Sequence, residues 1–346
     1  MKEQTTPDVY CTFQEASEHK FAGHPESPQR TTSMGAWIDS PPYPNMKWLP
    51  YEPAKESDVV LVHHHGMLSE LRAESQRGPH IVEHAPTYVT ESSFQDSLGA
   101  VGATLAVSRR IIAEGEGFGF AIVRPPGHHA DQKTAMGFCL LNNIAIAVSD
   151  AIASGLKKAV IIDFDAHHGN GTQNIFKATP EVSYLSLHER GIYPGTGGLE
   201  SASHTHGRII NIPLPAFAGN KAFLRVIDEI VEPWIANFQP EMVFVSAGFD
   251  AHFSDPLTSL TLDTKGFYAI TSRLVKISER YAGGRLMFVL EGGYDPIALK
   301  DNVQACLAAM CSQTAFPDHY GKAPGVNPEI DSLIEKLHKY IQIKEN

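Results

Sequence analysis

Short apolar runs alternate with longer amphipathic stretches along most of this chain. Phe120-Ala121-Ile122-Val123, Val160-Ile161-Ile162, Met242-Val243-Phe244-Val245 and Leu286-Met287-Phe288-Val289 are apolar without a polar interruption, and residues 182–188 form a further strand-like segment. Runs of this kind read as strands buried on both faces, the condition of a parallel sheet. Between and after them, apolar residues recur at helical spacing over 92–115, 142–155, 222–237, 267–281, 296–311 and 329–342. Ser92 or Ser93 is placed to cap the first of these helices, and Gly115 to end it. Strands alternating with helices predict an α/β fold with helices on both faces of a parallel sheet. Residues 1–50, rich in Pro, Ser and Thr, read as ordered loop and short helix around a pocket rim, and 190–206 as a loop over the same rim. No repeat, low-complexity tract or domain boundary interrupts the pattern, so residues 1–346 are expected to form one domain with a core over about 20–311 and a terminal helix over about 329–342.

Composition narrows the function classes. The chain is 42% hydrophobic and 19% charged with a formal net charge of −11, so the basic footprint of a nucleic-acid binder is missing. Residues 1–8 lack the apolar core of a signal peptide, and no apolar run is long enough to cross a bilayer. Cys11, Cys139, Cys306 and Cys311 form no CxxC pair and read as reduced thiols, which points to a cytoplasmic protein that binds neither nucleic acid nor membrane. A homo-oligomer stays open.

The densest chemistry follows one of the apolar runs. Val160-Ile161-Ile162 leads into Asp163-Phe164-Asp165-Ala166-His167-His168-Gly169-Asn170-Gly171. Alternate residues of a strand share a face, so Asp163, Asp165 and His167 are expected to point the same way. Unpaired buried charges cost several kcal/mol, and a divalent cation would remove that cost. Downstream, Ser246-Ala247-Gly248-Phe249-Asp250 repeats the design, and ligands of open α/β sheets collect beyond the carboxyl ends of the strands. Asp165, His167 and Asp250 thus supply three ligands and leave one position open, as at a catalytic zinc; the competing reading is a buried ion-pair network. His128-His129, after Arg124-Pro125-Pro126-Gly127, and Tyr294, after Glu291-Gly292-Gly293, each lie just past a strand and suit proton transfer and oxyanion stabilisation. His63-His64-His65 resembles a metal tract, but adjacent side chains do not converge, so packing or surface roles are expected. His168 and His188 are expected outside the ligand set, His204 and His206 in solvent, and Cys139 as an apolar lining residue.

Taken together and in order, Arg124 to Ala130, Gly137-Phe138-Cys139-Leu140-Leu141-Asn142-Asn143, Asp163 to Thr172, Pro194-Gly195-Thr196-Gly197, Ser246 to His252 and Glu291 to Tyr294 resemble the zinc-dependent histone deacetylases, closest to the class II-like branch with its bacterial histone deacetylase-like amidohydrolases. His24-Pro25-Glu26 fits the same pattern. The resemblance implies the arginase–deacetylase fold, with a mostly parallel eight-stranded sheet, and a metal-dependent amidohydrolase. It implies Zn²⁺ on Asp165, His167 and Asp250, and His129 as general base and then acid, oriented by Asn170 where other branches have Asp. It implies His128 held by Asp163 as a second imidazole, and Tyr294 as oxyanion donor. Phe138 and Tyr193 would wall an acyl-lysine tunnel, with Gly137 and Gly292 in its lining and Leu257 at a rim position that carries Glu in an acetylpolyamine-selective relative. A monovalent cation, K⁺, is implied at Asp163, Asp165, the His167 carbonyl, Ser186 and Leu187, and a second near Phe176, Thr179 and Val182. The rim departs from the family pattern at Ala85-Pro86-Thr87, where acidic residues are common, which bears on peptide-backbone recognition. The expected substrate is an acyl-lysine protein or peptide, or else an acetylpolyamine or other small N-acyl amine. An inactive acyl-lysine-binding module and a two-manganese ureohydrolase-like enzyme are the competing classes.

Overall fold

The computed structural model describes residues 8–83, 86–325 and 328–342. Ten strands are present among them: β1 (Val9–Phe13), β2 (Met46–Trp48), β3 (His80–Ile81), β4 (Tyr88–Val89), β5 (Gly117–Ile122), β6 (Ala159–Asp163), β7 (Val182–Glu189), β8 (Ile209–Leu214), β9 (Met242–Ala247) and β10 (Arg285–Leu290). Eight of them form one sheet in the order β2-β1-β5-β10-β9-β6-β7-β8, while β3 and β4 pair separately. Every neighbouring pair in the large sheet is parallel, so the expected mostly parallel sheet is fully parallel over the described residues. The loop expected over residues 1–50 is corrected in part: from residue 8 on, it contains β1 and β2.

The period-two geometry of a strand explains the layering. Val160, Ile162, Val243, Val245, Phe288 and Leu290 join one apolar cluster with Trp234, Phe267 and Leu299. Their sequence neighbours Ile161, Phe244, Met287 and Val289 join a second cluster with Val101, Leu105, Ile144 and Val148. The two sides are covered by different helices. On one side lie α3 (Ser93–Glu114) and α4 (Asn143–Ala153). On the other lie α6 (Asn220–Val226), α7 (Glu232–Phe238), α8 (Thr264–Tyr281), α9 (Pro296–Met310) and α10 (Asp331–Gln342). Helices α1 (Glu56–Val59), α2 (His65–Gln76) and α5 (Asn170–Phe176) complete the set.

Helix ends follow their caps. Gly115 closes α3 at φ 83°, a left-handed conformation that glycine adopts without the Cβ penalty. The Asn142 side chain accepts the Ala145 amide at the start of α4 (3.0 Å). Asp263 does the same for Gly266 (2.9 Å), which starts α8 at Thr264, three residues before the position read from sequence. The helix read over 222–237 is instead α6 and α7 joined by a π-helical turn, Ile227–Val231.

Candidate active site

The candidate residues meet beyond the carboxyl ends of β5, β6, β9 and β10, four adjacent central strands. One expectation is corrected here. β6 ends at Asp163, so Asp165 and His167 lie in the bend that follows and do not alternate on a strand face. The backbone folds back so that the Asp165 amide reaches the Asp163 carboxylate (3.2 Å) and the His167 amide reaches Asp165 (2.8 Å). Asp250 likewise lies three residues past β9, its carboxylate fixed by the Ala166 amide (2.8 Å).

The ligand-type atoms of Asp165, His167 and Asp250 all lie within 4.8 Å of one another. His167 Nδ1 is 2.8 Å from Asp250 Oδ2 and 3.2 Å from Asp165 Oδ1. Glycines make this approach possible. A Cβ on Gly248 would sit 2.0 Å from Asp165 Oδ2, and one on Gly292 would sit 2.5 Å from Asp250 Oδ2. The Gly292 amide also donates to Asp165 Oδ2 (2.8 Å). Both carboxylates are buried, and burial together with Asp165 pushes Asp250 up to about 6. Two hard oxygen donors and an imidazole, converging on one point beyond the strand ends, fit a divalent cation. A second trio, His128, Cys139 and Glu291, also converges. Its carboxylate is already used by the Gly127 and His128 amides (2.7 and 3.1 Å), and burial pushes the Cys139 thiol well above its ordinary range, which suits packing and not ligation.

The flanking imidazoles differ in their surroundings. His129 Nδ1 lies 2.8 Å from Asn170 Oδ1, and burial, with His128 and His167 adding to it, holds its imidazole well below 6.5. His129 is therefore neutral, with Nδ1–H donated to Asn170 and the Nε2 lone pair unspent. His128 Nδ1 lies 3.1 Å from Asp163 Oδ2. Burial pushes His128 down, but Asp165 and Asp163 together outweigh it and lift it to about 10. Asp163 is held in turn by the Tyr184 hydroxyl (2.9 Å) and faces Ser186 across the β6–β7 pairing. Burial keeps Tyr294 protonated, well above 10.

A cavity of about 230 Å³ opens onto this group, lined by Pro86, His129, Gly137, Phe138, His167, Tyr193, Leu257 and Tyr294. Of the three converging ligands, only His167 lines it, so the ligand cluster meets the cavity at its floor. Phe138 packs edge-on against Tyr294 and Tyr193 edge-on against His129, at centroid distances of 5.7 and 5.1 Å. Gly137 is required where it stands: its φ is +58°, and a Cβ would meet His129 at 2.4 Å. Gly292 lies beneath the carboxylates and is absent from the cavity wall. Ala85 of the rim lies outside the described residues.

His63 is buried, donating from Nδ1 to the Asp131 carbonyl (2.7 Å) and accepting the Asn142 amide at Nε2 (2.9 Å), a packing role; His64 and His65 are exposed. His168 and His188 are buried outside the ligand group, and His204 and His206 are exposed.

Several supporting residues escaped the sequence reading. Glu83 accepts the Thr87 hydroxyl (3.1 Å), and Thr87 accepts the Phe138 amide (2.9 Å), which holds one wall of the cavity. Arg30 and Arg124 are fully buried around Glu26. Arg30 donates to the Gly293 and Glu291 carbonyls (2.7 and 2.5 Å) and lies over the Tyr294 ring at 4.9 Å. The i,i+4 spacing of Glu26 and Arg30 was the available signal.

A fully parallel eight-stranded sheet with these groups beyond its central strands defines an arginase–deacetylase α/β hydrolase. The histone deacetylase domain matches residues 24–310, and the chain belongs to that family. It is 36% identical over 328 residues to "Histone deacetylase 10, chloroplastic" of Oryza sativa subsp. japonica, covering 89% of this chain and 74% of the relative. It is 34% identical over 279 residues to the "Histone deacetylase-like amidohydrolase" of Pseudomonas aeruginosa, covering 79% and 73%. The crystal structure of the HDA15 HD domain superposes with a TM-score of 0.84 at 29% identity, covering 98% of this chain and 95% of that one. The chain is thus a hydrolase of the deacetylase and amidohydrolase type.

Proposed function

We propose that this protein removes acyl groups, mainly acetyl, from lysine side-chain amides with one zinc ion held by Asp165, His167 and Asp250. The observation that carries the reading is the convergence of those three ligand atoms within 4.8 Å, beside a neutral imidazole, at the floor of a narrow aromatic-walled cavity. Zinc bound there supplies a Lewis acid that polarises the amide carbonyl and acidifies water to near-neutral pKa.

The protein groups do the rest. Phe138 and Tyr193 hold the acylated chain between their rings, and Leu257 gives the mouth an apolar edge. His129 Nε2 takes a proton from the attacking water, because Nδ1 is committed to Asn170. The same imidazole then passes that proton to the departing amine. Tyr294 donates to the carbonyl oxygen as it gains negative charge, a contribution of about 3–4 kcal/mol for one such donor. His128, kept cationic by Asp165 and Asp163, adds positive charge beside the reacting centre. On the same reading, Asp163, Asp165, the His167 carbonyl, Ser186 and Leu187 hold a K⁺ ion that steadies the β6 and β7 ends.

The test is hydrolysis of an acyl-lysine peptide panel and of acetylputrescine by metal-free and zinc-restored protein. Faster turnover of acetylputrescine would move the assignment to polyamines. Binding of acyl-lysine without release of the acid would make the protein a reader.

A further inference from the structure

A second cavity lies apart from the acyl cavity. It measures about 560 Å³, against about 230 Å³, and the two share no lining residue. It lies between the Arg190–Leu199 loop, the end of β8 and the first turns of α10. A volume of this size falls within the range of small-molecule sites, roughly 300–1,000 Å³.

Its walls carry an excess of unspent positive and donor groups. Arg190 and Lys336 both line it, and neither side chain makes an ion pair or hydrogen bond among the described residues. The one acidic side chain on the wall, Glu329, is engaged by Lys221 (3.4 Å). Thr196, Gly197, Gly198 and Leu199 also line the cavity, and none of their four consecutive backbone amides donates to a protein acceptor among the described residues. Gly198 is informative. A Cβ there would meet nothing within 4 Å and its φ is not left-handed, so neither packing nor backbone conformation calls for glycine. Runs of free main-chain amides beside basic side chains form anion-binding concavities. Leu199, Ile330 and Leu333 make the remaining wall apolar.

We propose that this cavity binds a small organic anion: an oxyanion head group received by the Thr196–Leu199 amides, Arg190 and Lys336, and an apolar body against Leu199, Ile330 and Leu333. Ligand there touches the loop that carries Tyr193, a wall of the acyl cavity. That loop is tied to the protein interior by Thr196 Oγ1 on His168 Nδ1 (2.7 Å) and by His188 Nε2 on the Gly197 carbonyl (3.0 Å). Occupancy therefore shifts the grip on substrate without touching the reacting groups.

The experiment is calorimetric titration of the metal-loaded full chain with phenyl phosphate, benzoate and the neutral control benzyl alcohol, paired with hydrogen exchange at residues 195–199. At least one of the two anions is expected to bind saturably, slow exchange at Thr196–Leu199 and alter KM for an acyl-lysine peptide with little change in kcat. Whichever anion binds tighter identifies the head group as phosphate or carboxylate. Arg190→Gln with Lys336→Gln is expected to weaken that binding at least 10-fold while melting temperature and basal kcat stay at the parent values. The proposal fails if neither anion binds, if benzyl alcohol binds equally well, or if the double variant binds as the parent does. It fails too if metal removal abolishes binding, since that would locate the anion at the metal centre. Binding is read without turnover, so the result stands apart from the proposed deacylation.

Discussion

Two buried charge clusters act on Tyr294, and their carboxylates are compensated differently. Around Glu26 the protein supplies every counter-charge itself. Arg124 grips the carboxylate with Nε and Nη2 (2.5 and 2.8 Å), Arg30 adds Nη1 (3.1 Å), and Tyr88 donates its hydroxyl (3.0 Å). Donors left over on the two guanidiniums go to the carbonyls of Ala16, His19, Glu291 and Gly293. Burial pushes Glu26 up, but Arg124 and His19 outweigh it and hold the carboxyl far below its ordinary range. At Asp165 and Asp250 the compensation is uneven: against burial, His128 and His167 hold the Asp165 carboxyl far below its ordinary range, but burial and the Asp165 charge leave Asp250 raised to about 6. A cluster whose every acid is paired by arginine is scaffolding, and one that holds a raised carboxyl beside a second carboxylate and an imidazole suits something brought from outside.

The sharpest way to break this contrast is to neutralise one acid in each cluster. Asp165→Asn or Asp250→Asn is expected to abolish bound metal and hydrolysis, read by metal analysis and product release. Glu26→Gln is expected to retain metal but lose about 3–5 kcal/mol of stability, because two guanidiniums remain buried without their partner. Metal loss in Glu26→Gln at unchanged melting temperature would reverse the assignment of the two clusters. Next in size, Tyr294→Phe is expected to lower kcat by about 10²–10³-fold. His129→Ala should lower it by roughly 10²–10⁴-fold. Both should keep the metal, and parent-like turnover in either would remove that residue from the chemistry.

A smaller effect is expected from the Glu83–Thr87–Phe138 relay. Thr87→Val leaves the Phe138 amide without its acceptor, at a cost of about 1–3 kcal/mol that should appear as raised KM with nearly constant kcat. A fall in kcat at constant KM would show that the relay acts on the reacting groups. The smallest effect is a pH dependence. Burial lowers His19 to about 4, so in the folded chain it gains its proton only there, against about 6.5 in the unfolded chain. Between those values the unfolded state holds more protons, so this contribution is complete above 6.5 and is lost as pH falls towards 4. Denaturant titrations across that window should show a shallower slope for His19→Gln; an unchanged slope would exclude His19 as its source.

Legibility in the sequence followed the same division. Asp163, Asp165, His167 and Asp250 stand out because acids after unbroken apolar runs conflict with their surroundings, and the central strands β5, β6, β9 and β10 are visible for the same apolar reason. Arg30, and the buried role of Arg124 within its motif, did not stand out, because their burial depends on partners brought in from distant segments, such as the Gly293 carbonyl 263 residues from Arg30. β2 has three residues at a sheet edge, too few to show a period, and β1 carries Thr12 and Cys11 in a segment of five. Glu83 was hidden for a different reason: it works through Thr87 and a main-chain amide, a contact with no signature in residue type.

The strand order carries a last consequence, for the birth of the protein. β5 and β6 are made early, yet β9 and β10 lie between them. Until about residue 290 has left the ribosome, the emerging polypeptide can form only two separate half-sheets, and until β9 is made and pairs with β6 the third of the converging residues is missing from its place. Contacts so far apart along the chain make assembly slow. On the proposed metal assignment ion capture would come late in synthesis, and a nascent chain stalled before β9 would carry Asp165 and His167 without Asp250.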